Sequence, residues 1–180
     1  MKPLVQVAPI VLAFGWMLSL PAEGRTDGCA APMTMRQLQR MNACELAELY
    51  AKADIGSMPS GCVRGRVLIL TGNHLPRASA RTNNVVWKGK CFDPDGCFTN
   101  RWLGFNALTS QARPGPSWED GRPSLVMDYP PGTPILGNVR DEIREVAPGL
   151  WLGRLYETCP CPRFLGFFAL EAPPACCVRR

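Results

Sequence analysis

The sequence predicts a mainly β domain, an antiparallel barrel or half-open barrel with a short N-terminal helical pair. Three observations predict it. Apolar runs of strand length recur at close spacing, at residues 62–70, 85–92, 96–103, 105–112, 125–129, 140–146, 150–156 and 164–170. Turn chemistry separates several of them, at Asp93-Pro94-Asp95-Gly96, Asp120-Gly121, Pro130-Pro131-Gly132 and Pro148-Gly149. No crossover helices are evident between the later runs, and about eight short strands favour closure, which abolishes open edges and leaves room for one small ligand.

The chain opens with Lys2, a mostly apolar run over residues 3–20, and the small-residue sequence Pro21-Ala22-Glu23-Gly24. That order is the pattern of a secretory signal peptide over residues 1–24, with cleavage after Ala22 or Gly24. The run is marginal against the roughly 20 apolar residues a spanning helix needs, so no stable membrane span is expected after cleavage. An uncleaved N-terminal anchor is the alternative. Residues 25–33 read as a linker and residues 34–171 as a single domain. Within it, Met35, Leu38, Met41, Leu46, Leu49 and Tyr50 recur at helical spacing, and Asn42 with Glu45 forms a capping box that divides the segment into two short helices. The second helix is expected to end before Asp54. Ser57-Met58-Pro59-Ser60-Gly61 is a turn into the first strand. The tail, residues 172–180, carries Pro173-Pro174 and reads as irregular.

The formal net charge is +5, and cleavage after Gly24 leaves it unchanged because Lys2 and Glu23 cancel. The basic residues are scattered singly rather than gathered into a stripe, so nucleic-acid binding is set aside. Nine cysteines behind an export signal predict disulfides in a periplasmic or extracellular protein, and the odd number leaves at least one thiol unpaired. Cys91 and Cys97 flank a turn, which makes a bond across that hairpin plausible. Cys159-Pro160-Cys161 with Cys176-Cys177 offers four thiols, but gaps of one and zero residues are not those of structural zinc sites, so no metal site is expected. The single histidine, His74, has no second histidine or carboxylate near it in sequence. Ser117 and Ser124 lack a nucleophile elbow. Neither a catalytic residue nor a cofactor is assigned.

The candidate ligand-binding residues are Trp87, Arg101, Asp128, Arg140, Glu142, Arg144 and Trp151. On a strand, Arg140, Glu142 and Arg144 share one face while Asp141, Ile143 and Glu145 share the other. Facing outward, the Arg-Glu-Arg ladder is a solvated surface, which is the norm for charges; facing inward, it lines a cavity and marks a ligand site. A helical turn over this segment is also compatible with Val139, Ile143 and Val146. Trp87 and Trp151 suit core packing or cavity lining. Gly149 and Gly153 flank Trp151 and permit close backbone approach. Asn100-Arg101 can face a pocket or water.

The ordered motifs Gly56-x-x-Pro59-x-Gly61, Trp87-x-Gly89-Lys90 with Phe92-Asp93, Asn100-Arg101, Ser117-Trp118-x-Asp120-Gly121, Asp128-Tyr129, Arg140-Asp141-Glu142-Ile143-Arg144, Pro148-Gly149-Leu150-Trp151-Leu152-Gly153 and Phe168-Ala169-Leu170-Glu171 resemble a group of uncharacterised bacterial proteins. The layout is also similar to the lipocalin-like barrel domains named for a Gly-x-Trp-x-Gly motif. There the motif comes early, whereas here the complete form is late and Val85 stands where the first glycine of the early copy belongs. The resemblance implies a lipocalin-like barrel and brings no catalytic residue with it.

The functional expectation is an exported protein that binds a small hydrophobic or amphipathic ligand, whose acidic group would meet Arg140 or Arg144. Two other classes compete. One is a small barrel enzyme of isomerase or cyclase type, using Asp128, Asp141 or Glu142 as general base in a closed pocket. The other is a cell-envelope interaction domain, recognisable by a broad exposed apolar patch without a cavity.

Overall fold

A computed structural model describes residues 32–71, 76–130, 132–133 and 136–174, the side chains of residues 76–79 excepted. The leader, most of the linker, His74, Cys29, Cys176 and Cys177 lie outside the described residues.

The helical pair forms where the capping signals put it. α1 (Met35–Leu38) starts at Thr34, whose side chain and that of Gln37 cap each other's backbone N–H groups. In α2 (Ala43–Lys52), the Glu45 N–H donates to Asn42 Oδ1 at 3.0 Å and the Asn42 N–H donates to Glu45 Oε2 at 2.7 Å. The exit of α2 is held by Arg122, whose guanidinium donates to the carbonyls of Ala51 and Ala53 and pairs with Asp54 at 3.1 Å. A cation there complements the negative end of the helix dipole.

The barrel consists of β1 (Gly61–Leu70), β2 (Trp87–Phe92), β3 (Cys97–Trp102), β4 (Phe105–Pro116), β5 (Pro123–Asp128), β6 (Val139–Ala147), β7 (Leu150–Glu157) and β8 (Arg163–Glu171). Each strand pairs antiparallel with the next, and β8 pairs with β1 to close the ring. The eight expected strands are all present, and the helical alternative for residues 140–146 gives way to β6. A third helix, α3 (Pro76–Val86), occupies the connection between β1 and β2, where the sequence suggested that strand began at Val85. Asn84 docks this helix: its amide donates to Val67 O at 2.9 Å and accepts from Val67 N–H at 2.7 Å, at a bulge in β1. No helix among the described residues is long and apolar enough to cross a membrane.

Strand alternation sends one set of side chains inside the ring. Val63, Trp87, Phe92, Phe98, Leu125, Met127, Tyr129, Ile143, Trp151, Phe168 and Leu170 fill it. Two close approaches make room for the largest rings. A Cβ on Gly65 would sit 2.5 Å from the Trp87 ring, and a Cβ on Gly153 would sit 2.3 Å from the Phe168 ring. Trp87 and Phe168 then meet edge to face with centroids 5.9 Å apart.

The opposite faces of β1, β7 and β8 pack against the helical pair. Met35, Leu38, Leu46 and Tyr50 bury against Leu68, Ile69, Leu150, Leu152, Phe167 and Ala169.

One end of the barrel is crossed by the segment after α2. There Glu145 Oε2 accepts from Ser57 N–H at 2.7 Å, Glu145 Oε1 accepts from Gly149 N–H at 2.9 Å, and Trp151 Nε1 donates to Ser57 O at 2.9 Å. Burial pulls the Glu145 carboxyl upward, yet these donors hold it below its ordinary value.

Cys62 and Cys91 face each other across β1 and β2 and form a disulfide. The hairpin bond suggested between Cys91 and Cys97 is therefore not made; Cys97 is free, as are Cys44, Cys159 and Cys161.

Candidate functional site

The opposite end of the barrel, from which the β1–β2 connection with α3 and the β3–β4, β5–β6 and β7–β8 connections leave, holds a cavity of about 120 Å³, lined in part by Asn83 of α3. Trp87, Trp102, Leu136, Val139, Leu155 and Phe168 give it mostly apolar walls. Lys90, Asn100, Tyr129 and Asp141 add a polar cluster.

A backbone irregularity brings Lys90 there. The pairing of β2 with β3 shifts between Trp87 and Gly89, and Gly89 adopts φ 129°, a conformation that side chains rarely take. Trp87 and Lys90, three positions apart, therefore both face inward, where strict alternation would have put Lys90 outside beside Lys88.

The Lys90 ammonium, 1% exposed, has a partner for each N–H: Asn100 Oδ1 at 3.0 Å, Tyr129 Oη at 2.6 Å and Asp141 Oδ2 at 2.9 Å. It also lies 4.5 Å from the Phe98 ring centroid. Asn100 accepts from Trp87 Nε1 at 3.1 Å and donates to Leu108 O at 3.0 Å and Tyr129 Oη at 2.8 Å. Tyr129 in turn reaches Asp141 Oδ2 at 3.4 Å. Burial alone would depress Lys90, but Asp141 and Tyr129 beside it hold the ammonium above its ordinary value. Burial pushes the Tyr129 phenol up to about 12, against the pull of Lys90. The cluster is thus a paired cation and anion with neutral hydrogen-bonding groups around them.

The Arg-Glu-Arg ladder of β6 takes neither of the two positions considered for it. Alternation does place Arg140, Glu142 and Arg144 on the outer face, with Asp141 and Ile143 inside, but α2 and the β4–β5 turn cover that face. Arg144 is fully buried. It makes a fork onto Asp120 at 2.8 and 2.6 Å and donates to the carbonyls of Tyr50, Arg122 and Pro123, each at 3.1 Å. Glu142 accepts from Ser117 Oγ at 2.5 Å, Trp118 N–H at 2.9 Å and Arg140 Nε at 2.7 Å. Arg140 also reaches Pro116 O at 2.7 Å and Asp128 at 3.4 Å, and Asp128 pairs with Arg113 at 3.0 Å. Buried charges persist because each is paired and hydrogen-bonded.

Of the seven candidate ligand-binding residues, Trp87 lines the cavity. Trp151 lies inside the barrel near the covered end. Arg101 lines an outer groove with Cys62, Arg64 and Glu171. Asp128, Arg140, Glu142 and Arg144 form the outer network, away from the cavity, so an acidic ligand group inside the barrel does not meet Arg140 or Arg144. The residues that sequence reasoning did not assign to the ligand are Lys90, Asn100, Tyr129 and Asp141.

The fold and cavity define a closed eight-stranded antiparallel barrel of lipocalin-like architecture with a small internal chamber. No protein-family model matches the chain, and no curated protein matches it. A solved structure, a protein from Thermomonospora curvata, is similar with a TM-score of 0.52 at 15% identity, over 74% of this chain and 88% of that one. At that identity the likeness is one of fold.

Proposed function

We propose that the protein is an exported carrier or sensor that binds a small, largely apolar molecule in the cavity at one end of its barrel. The observation that carries this reading is the cavity itself, walled by Trp87, Trp102, Leu155 and Phe168. Aromatic and aliphatic walls with a few convergent polar groups are the usual composition of a ligand pocket. Its volume sets the scale: an apolar void of about 150 Å³ takes up benzene, so the enclosed part of the ligand is a single ring or a short branched chain. The Cys62–Cys91 disulfide and the leader-like residues 1–24 support an oxidising compartment.

Fluorobenzene is a suitable probe. Its fluorine resonance should shift and broaden with the full chain, and Leu155→Phe, which fills the cavity from β7, should abolish the effect. Unchanged binding by a folded Leu155→Phe variant would overturn the proposal. A second reading, a barrel enzyme, is favoured by one fact: of Asp128, Asp141 and Glu142, Asp141 lines the cavity. Turnover of a bound carbonyl compound would separate the enzyme from the carrier.

A further inference from the structure

Apolar side chains exposed singly are ordinary on a protein surface, but a cluster of them calls for a partner. Among the described residues the large apolar side chains left exposed are Met58, Val85, Val86, Leu103, Phe105 and Trp118. All but Met58 and Trp118 meet at the cavity end of the barrel. Val85 and Val86 finish α3, Leu103 lies in the tight β3–β4 turn, and Phe105 opens β4 opposite Trp102. The Leu103 N–H donates to Val86 O at 2.8 Å, which fastens the turn to the helix end and joins the two pairs into one patch. The β5–β6 and β7–β8 connections at this end, residues 129–138 and 158–162, contain no charged residue.

Cations stand behind this apolar tip. Arg81 is exposed one helical turn before Val85, the Lys88 ammonium donates to Asn84 O at 2.9 Å in the last turn of α3, and Arg101 immediately precedes Trp102 at the end of β3. Arg81 and Arg101 have no carboxylate partner among the described residues, since Glu171, which shares a groove with Arg101, pairs with Arg64. The carboxylates nearest this end are all engaged, Asp128 with Arg113 and Arg140, Asp141 with Lys90, and Glu157 with Arg163. At the far end the order reverses, with Asp93 and Asp95 exposed in the β2–β3 turn. An uncharged apolar tip backed by unpaired cations matches the layering of an anionic bilayer, whose acyl region lies beneath its phosphates. The patch falls short of the roughly 20–30 residues a side that a stable protein interface uses, whereas a bilayer takes in protruding side chains singly. We propose that the cavity end of the barrel docks reversibly on an anionic lipid bilayer: Val85, Val86, Leu103 and Phe105 enter the headgroup region, and Arg81 and Arg101 meet the phosphates. Docking is independent of what the cavity holds.

Hydroxyl-radical footprinting of the full chain locates the contact, using vesicles of saturated phosphatidylcholine with and without phosphatidylglycerol. Labelling of Leu103 and Phe105 should be suppressed by the anionic vesicles and return as salt is raised, while Met58 and Trp118 stay reactive. In co-sedimentation, Leu103→Ser with Phe105→Ser should weaken partitioning about tenfold, and Met58→Ser should not change it. Arg81→Gln with Arg101→Gln should lower partitioning onto anionic vesicles about tenfold and leave that onto neutral vesicles as it was. Undiminished labelling of Leu103 and Phe105 would overturn the proposal. So would equal suppression at Met58 and Trp118, which would mean association through another part of the chain. Suppression already present without lipid and relieved by dilution would make the patch a contact between two copies instead. An anionic preference that survives loss of both arginines would overturn the role given to the charges.

Discussion

Lys90 and Asp141 show how little of an interior ion pair is visible in a linear sequence. The alternation of β6 correctly separates Asp141 and Ile143 from Arg140, Glu142 and Arg144, because no bulge interrupts the strand over those residues. The alternation of β2 misleads, because the irregularity at Gly89 moves Lys90 to the inner face. The Trp87-x-Gly89-Lys90 spelling carries the signal, a glycine where a lysine must turn inward, but only the pairing register gives it meaning. The pair also yields a stability prediction. Lys90→Met leaves Asp141 buried without its counter-ion and should cost about 3–5 kcal/mol in urea unfolding, whereas adding Asp141→Leu should restore most of the loss, since apolar replacement of a whole buried pair is often neutral. An equally unstable double variant would show that neighbouring hydrogen bonds, not the uncompensated charge, set the cost.

Strands and capped helices were legible because their signals are local. Turn residues at Asp93–Gly96, Asp120-Gly121 and Pro148-Gly149 bracket the observed strands, and the Asn42–Glu45 capping box starts α2 as read. α3 was missed for the converse reason. Pro76–Val86 has few apolar residues to mark a buried helical face, and its last two, Val85 and Val86, are β-branched and read as strand; both are exposed at the helix end. The covering of the β6 ladder by α2 was also illegible, because it depends on contacts between distant segments. Arg144 makes that covering specific: its planar fork serves Asp120 while the same guanidinium binds the Tyr50 carbonyl of α2. Lysine cannot reproduce this geometry. Arg144→Lys should therefore lower stability by about 3 kcal/mol and accelerate amide hydrogen exchange in α2 beyond that in β7 and β8. Equal acceleration in all three elements would mean that Arg144 supports the barrel as a whole rather than the helix.

At the scale of the molecule, closure between β1 and β8 was expected from strand number, but the register that creates it, with Arg64 opposite Glu171 and Leu70 opposite Gly166, has no local signature. One property of the assembled chain follows from burial. The sequence contains three tyrosines, and Tyr50, Tyr129 and Tyr156 are each pushed up from 10.0 to about 12, chiefly by desolvation. The folded state thus favours the protonated phenols. Their contribution is fully present below about 10, the unfolded value, and is lost as pH rises towards about 12. Tyrosinate absorbance should stay low in the folded protein through that interval and rise together with unfolding; a titration centred near 10 without loss of structure would show the phenols to be hydrated. The covered end, tied by Glu145 and Trp151 to Ser57, has a kinetic corollary. If molecular traffic uses the opposite end alone, entry and escape share one doorway. Bulkier residues at Val86 or Leu103, exposed where α3 and β3 end on that side, would in that case slow arrival and departure by the same factor. Residence time would lengthen while occupancy at equilibrium stayed where it was.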